Sequence, residues 1–214
     1  MNFVQMHGTT TFVSFPSHIM AEENQDPKLV PIPPTFHASD TGKPFDHCLM
    51  CNQYLLDEGT PYMIEKAVKQ HPEMNVVETI FEYAMCMFCA IRMHESLSVE
   101  SRERISAYFQ SNVNFEKRHF DLLGQTDDIA NWIGKCAVKR TPISESSEYQ
   151  LVAQCEGKNL VFSAMPFALS LAAMEEMSSL LSAQSLGEID DFIGKYFSGP
   201  PEVAALLKKK FVMV

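Results

Sequence analysis

The chain has 214 residues, 46% hydrophobic and 21% charged, enough for one medium domain or two small ones with a real core. Its net charge of -10 lacks the concentration of Lys and Arg that neutralises phosphates, which argues against nucleic acid as a partner. The longest apolar run, residues 160–173, is broken by Ser163, Pro166 and Ser170, and nothing approaches the roughly 20 apolar residues that span a bilayer.

Residues 1–20 do not read as a secretory leader. No positive charge opens them, and His7, Gly8 and Thr9 to Thr11 interrupt any hydrophobic stretch. Met20 begins a polar segment that reads equally well as a start. Residues 1–43 are expected to form a partly disordered N-terminal arm. Pro27, Pro31, Pro33 and Pro34 favour extended backbone there. Residues 28–34 suit a linker, a segment lying on its own domain, or a ligand for a partner's aromatic groove.

Residues 44–110 read as a compact module. Cys48-Leu49-Met50-Cys51 is followed by Asn52-Gln53, a turn signal. Residues 61–68 and 76–85 read as strands, the second rich in β-branched and aromatic types, with His71-Pro72-Glu73 turning between them. The second cysteine pair, Cys86-Met87-Phe88-Cys89, falls at the end of this hairpin. A helical pattern follows, then a second helix over residues 99–110 capped by Ser98, with Ile105, Tyr108 and Phe109 at helical spacing. Residues 111–145 read as a connector. Within it, Asp127-Asp128 starts a short helix bearing Ile129, Trp132 and Ile133, which Gly134 ends.

Residues 146–214 read as a second, small α/β unit. Strands over 149–154 and 159–164 flank the turn Glu156-Gly157-Lys158, and helices are expected over 166–183, 186–197 and 202–210. The last four residues read as a core strand or a frayed tail. No internal repeat is visible. The expected fold class is α+β, a zinc-stapled module followed by a hairpin with three helices.

Chemistry is concentrated in the two Cys-x2-Cys pairs, separated by 34 residues. Two intervening residues let a tight knuckle aim both thiolates at one point, about 2.3 Å from a tetrahedral zinc. Two such pairs complete a shell of Cys48, Cys51, Cys86 and Cys89 around one structural ion. An iron–sulfur cluster and redox pairs are the rival readings. Six cysteines without a leader point to a reducing compartment and a cytoplasmic location.

A knuckle, then a hairpin, then a second pair opening a helix resembles the treble-clef zinc domains over residues 45–97. A zinc ribbon, with its second pair on another hairpin, is the nearest alternative. The resemblance implies a zinc-bound architecture that hosts many functions, and it carries over no activity.

Other candidates point away from catalysis. Four thiolates leave no open coordination position. His47, His71 and His94 are scattered along the module, and Cys136 and Cys155 read as buried structural thiols, with His119 the nearest histidine. Glu175-Glu176 and Asp190-Asp191 diverge around a helix, and Met165, Met174 and Met177 read as core residues along one helix. The reading is a non-enzymatic zinc protein with a protein-binding or scaffold role and no membrane association. An enzyme with its site in the C-terminal unit is the alternative, and a nucleic-acid-binding zinc module comes third.

Overall fold

The computed structural model describes residues 28–74, 76–123 and 128–197. Its centre is a six-stranded antiparallel sheet. Strand β1 (Lys28–Pro31) lies at one edge, followed by β5 (Asn159–Phe162), β4 (Glu148–Glu156), β2 (Pro61–His71) and β3 (Val76–Cys86). The sixth strand, β6 (Phe167–Ser170), pairs with Tyr149–Val152 of β4, so β5 and β6 share one edge of β4 while β2 lines the other. The class is α+β, as the sequence predicts.

Strands β2 and β3 form a long hairpin. Its register runs from Tyr62 opposite Cys86 to His71 opposite Val76, with one irregularity at Ala67 and Val68. The turn is a short 3-10 segment, Pro72–Met74, begun by the proline that breaks the strand. On its other side β2 pairs with β4 from Pro61 opposite Glu156 to Lys69 opposite Glu148. The stretches that the sequence divides between a zinc module and a C-terminal unit therefore contribute adjacent strands to one sheet. Central placement explains why residues Ile64, Glu65, Lys66, Ala67 and Val68 are all buried, with no alternation of polar and apolar positions.

Six helices accompany the sheet among the described residues. They are α1 (Met87–Ser96), α2 (Val99–Asn112), α3 (Phe115–Leu123), α4 (Ile129–Ile133), α5 (Leu171–Ser179) and α6 (Ala183–Tyr196). Helix α2 begins at the predicted cap, where the Ser98 hydroxyl accepts from the Ser101 N–H at 3.2 Å. Asp128 caps α4 and Gly134 ends it, again as read from sequence. Aromatic contacts bind helices to strands. Phe192 of α6 lies on Tyr83 of β3, ring centroids 5.9 Å apart, and Phe109 of α2 lies 6.2 Å from Phe167 of β6.

Two expectations about helices change, and one open reading is resolved. The helix predicted over 166–183 is a strand, β6, followed by α5 and then a separate helix from Ala183. Phe167–Ser170 is buried at every position and pairs with β4, which a four-residue apolar run cannot announce by periodicity. Met165 consequently lies ahead of β6, while Met174 and Met177 sit on α5; all three are buried. Helix α3 occupies part of the predicted connector. Residues 28–36 lie on the domain itself. Strand β1 pairs with β5, Phe36 is fully buried, and Ser39 meets the sheet through Thr79 and Glu82. The rest of the expected arm (residues 1–27), the helix expected at 202–210 and the chain's last four residues lie outside the described residues.

Candidate metal centre

The four predicted cysteines converge. Their Sγ atoms all lie within 4.8 Å of one another, and Cys51 Sγ is 3.7 Å from Cys86 Sγ. Sulfurs about 2.3 Å from a common tetrahedral ion stand roughly 3.8 Å apart, whereas a disulfide requires about 2.05 Å. All six cysteines are free thiols. The spacing fits a shared metal ion, and this is the one such group of His, Cys, Asp or Glu among the described residues.

The backbone builds this geometry from both sides. In the first pair, the Cys48 N–H donates to the Gln53 carbonyl at 2.8 Å and the Asn52 N–H returns to the Cys48 carbonyl at 2.9 Å. That tight turn puts Asn52 in the left-handed region, φ 60°, where asparagine is among the few side chains that fit readily. A further bond from the Leu49 N–H to the Ala84 carbonyl, 2.9 Å, fastens the knuckle to β3. In the second pair, Cys86 is the last residue of β3 and the cap of α1, and Cys89 sits in the first turn of that helix. The second pair thus opens a helix and not another hairpin. Helix N-termini carry unpaired N–H groups and a positive dipole end, which favour thiolate.

The four thiols are not electrostatically equal. Burial opposes ionisation of Cys48, but the N–H groups of Cys51, Cys86 and Met50 outweigh it and bring its pKa down to about 7. Burial pushes Cys86 and Cys89 upward; the other sulfurs add to the effect at Cys89, while at Cys86 those of Cys51 and Cys48 raise and Cys89 opposes. The Cys48 thiolate is stabilised chiefly by backbone N–H groups, whereas ionising Cys86 and Cys89 beside it would crowd negative charge into the site. A bound cation reverses that balance, since a coordinating thiol gives up its proton. The donor set therefore suits a thiophilic divalent ion.

No histidine joins this group. His47 is exposed, pairs with Asp46 at 2.9 Å, and meets the Tyr54 ring edge-on. His71 bonds Glu78 across the hairpin tip, and His94 lies further along α1. Cys136 and Cys155 are both fully buried. Burial pushes the Cys155 thiol up to about 12, against a weaker opposing bond from Tyr62, so its thiolate is costly to form. His119 Nδ1 donates to the Ser163 carbonyl at 2.9 Å. Of the carboxylate pairs, Glu176 accepts from the Tyr108 hydroxyl at 2.7 Å and pairs with Lys139.

Sequence reasoning missed Glu65. This carboxyl is buried on β2 and accepts from Gln150 Nε2 at 2.7 Å. Burial raises its pKa to about 7, although Tyr83 and Gln150 partly stabilise the charge. The adjacent charges Glu65 and Lys66 inside a strand-like run were the available signal, but the central position in the sheet that buries them was not visible.

No helix among the described residues is long and apolar enough to cross a membrane. Comparison with family models, with curated proteins and with solved structures finds no match for this chain.

Proposed function

We propose that the chain binds one structural zinc ion through Cys48, Cys51, Cys86 and Cys89, and acts in the cytoplasm as a non-enzymatic protein-binding or scaffold module. The observation that carries the metal reading is the convergence of four sulfurs within 4.8 Å of one another, with Cys51 and Cys86 at 3.7 Å, close to the separation a tetrahedral ion imposes. Four thiolates give a closed shell, so the ion's role is to tie the knuckle at Cys48 and Cys51 to the end of β3 and the start of α1. Knuckle, hairpin and helix in this order are treble-clef-like. Zinc is preferred over an iron–sulfur cluster because one compact tetrahedral group accounts for all four thiols.

The protein-binding role is supported by the surface beyond the metal. Met74, Val76 and Val77 are exposed at the hairpin tip, and Phe88 is exposed between the second pair of cysteines. The acidic balance favours a protein over a nucleic acid as partner. Metal analysis of protein purified without added zinc tests the first part, with about one zinc per chain expected. Affinity capture from native extract with wild-type protein and with a Val76→Asp, Val77→Asp variant tests the second. A stable protein partner held by the wild type and lost by the variant supports the role. Equal capture by both would contradict this surface.

A further inference from the structure

Although the sequence displays no repeat, the backbone does. Around Cys48, four bonds define the first knuckle: Cys48 N–H to Gln53 O, Asn52 N–H to Cys48 O, Leu55 N–H to Asp46 O, and Leu49 N–H to Ala84 O. Around Cys136 the same four recur in the same order: Cys136 N–H to Thr141 O, Arg140 N–H to Cys136 O, Ile143 N–H to Gly134 O, and Ala137 N–H to Ala168 O. Asn52 has φ 60° and its counterpart Arg140 has φ 62°; these are the two non-glycine residues with positive φ among those described. The flanking bridges also correspond, His47 with Tyr54 and Lys135 with Pro142.

The correspondence continues through the fold. Tyr62 stands opposite Cys86 where β2 meets β3, and Tyr149 stands opposite Ser170 where β4 meets β6. Cys86 caps α1 and Ser170 caps α5. Leu97, Ser98, Ser101 and Ile105 match Leu181, Ser182, Ser185 and Ile189 at the same spacing, leading into α2 and α6. The two helix starts meet reciprocally: the Ser98 N–H donates to Ser185 Oγ at 2.9 Å and the Ser182 N–H to Ser101 Oγ at 2.8 Å. The pairing of β2 with β4 is likewise self-matching about Glu65 opposite Val152. These exchanges describe a pseudo-twofold axis through the sheet and the serine cluster.

We propose that the chain contains the metal module twice, and that residues 134–197 are a metal-free derivative in which Cys136, Lys139, Ser170 and Ala173 occupy the positions of Cys48, Cys51, Cys86 and Cys89. One sulfur of the old shell remains, and its surroundings are those of a ligand. Cys136 Sγ accepts from the N–H groups of Lys139 and Ser170, both at 3.3 Å, just as the N–H groups of Cys51 and Cys86 act on Cys48. Ser170 is 4% exposed, and its Oγ is buried without a hydrogen-bond partner. Buried hydroxyls without a partner are exceptions in folded proteins, and this one stands where the other module has a cysteine ligand. Lys139 on the knuckle now pairs with Glu176 on α5, joining by charge two elements that a metal would otherwise tie together.

Restoring the missing thiols tests this. The full chain carrying Lys139→Cys, Ser170→Cys and Ala173→Cys is expressed with zinc and its metal counted by native mass spectrometry beside the wild type. Two ions in the variant and one in the wild type are expected. A folded variant that holds no more metal than the wild type overturns the equivalence. Should the threefold variant fail to fold, Lys139→Cys with Ser170→Cys leaves the packing at Ala173 untouched. It supplies three thiols with Cys136, enough for a site with one open position, and it is read in the same way. The equivalence rests on backbone geometry and not on the zinc reading of the first site. A wild type without metal beside a variant with one ion would sink that reading while supporting the duplication.

Discussion

The most consequential single residue outside the metal centre is Glu65, because it couples stability to pH. Its carboxyl has a folded pKa of about 7 through burial, against 4.5 for the ordinary group. Below 4.5 both folded and unfolded chains hold the proton. Between 4.5 and 7 only the folded chain does, so this group's contribution to stability falls as pH rises, and above 7 the full penalty stands. The shift corresponds to roughly 3 kcal/mol. Glu65→Gln should therefore be more stable than the wild type at pH 8, with the advantage shrinking towards pH 5. Urea unfolding at the two pH values reads this, and an advantage that does not change with pH would show that the carboxyl does not titrate in this window. Ser170 offers a contrasting case. Its hydroxyl is buried and unpartnered, so Ser170→Ala should leave stability unchanged or raise it by about 1 kcal/mol. The caps Ser98 and Ser182 have partners, and alanine at either should cost about 1 kcal/mol in the same measurement.

At the scale of elements, the helices that follow each metal-type module are exchanged. Phe192 of α6 and Phe197 just after it lie against Tyr83 of β3, and α2 places Phe109 against Phe167 of β6. Each hairpin is covered by a helix from the other half, which is why one core runs through both. Phe192→Ala should accordingly destabilise the whole chain by about 3–5 kcal/mol in a single transition. Two separate melting transitions would contradict the interlock. The legible parts of the fold were those with local signals: the hairpin bounded by His71-Pro72, the cap at Ser98, and the short helix between Asp128 and Gly134. The cysteine pairs announced their own convergence because their spacing is itself a geometric constraint. Strand β6 was hidden because Phe167–Ser170 is uniformly buried and too short to show a period. The duplication was hidden because the spacing of equivalent residues shrinks from 88 (Cys48 to Cys136) to 87 (Tyr62 to Tyr149) to 84 (Cys86 to Ser170), and three of the four ligands have changed type.

For the molecule as a whole, the two halves solve the same folding problem differently. In the first, the knuckle with exposed Cys51 meets three more thiols that a shared ion would tie together. In the second, the equivalent knuckle rests on a fully buried Cys136 and a partly exposed ion pair, Lys139 with Glu176, of the kind worth at most about 1 kcal/mol. Metal removal should therefore loosen residues 45–56 and the start of α1 while β4, β6 and α5 stay protected, a difference that hydrogen exchange with and without a chelator reads directly. Uniform loss of protection would mean that the metal holds the whole interlocked core and not only the first knuckle. The contrast between the halves depends on the metal itself. Native mass spectrometry of the chain purified without added metal, with the bound element identified, tests it most directly. One zinc ion per folded chain, lost when Cys51 and Cys89 are replaced by serine, is the predicted result. A folded wild-type chain that carries no metal would contradict it.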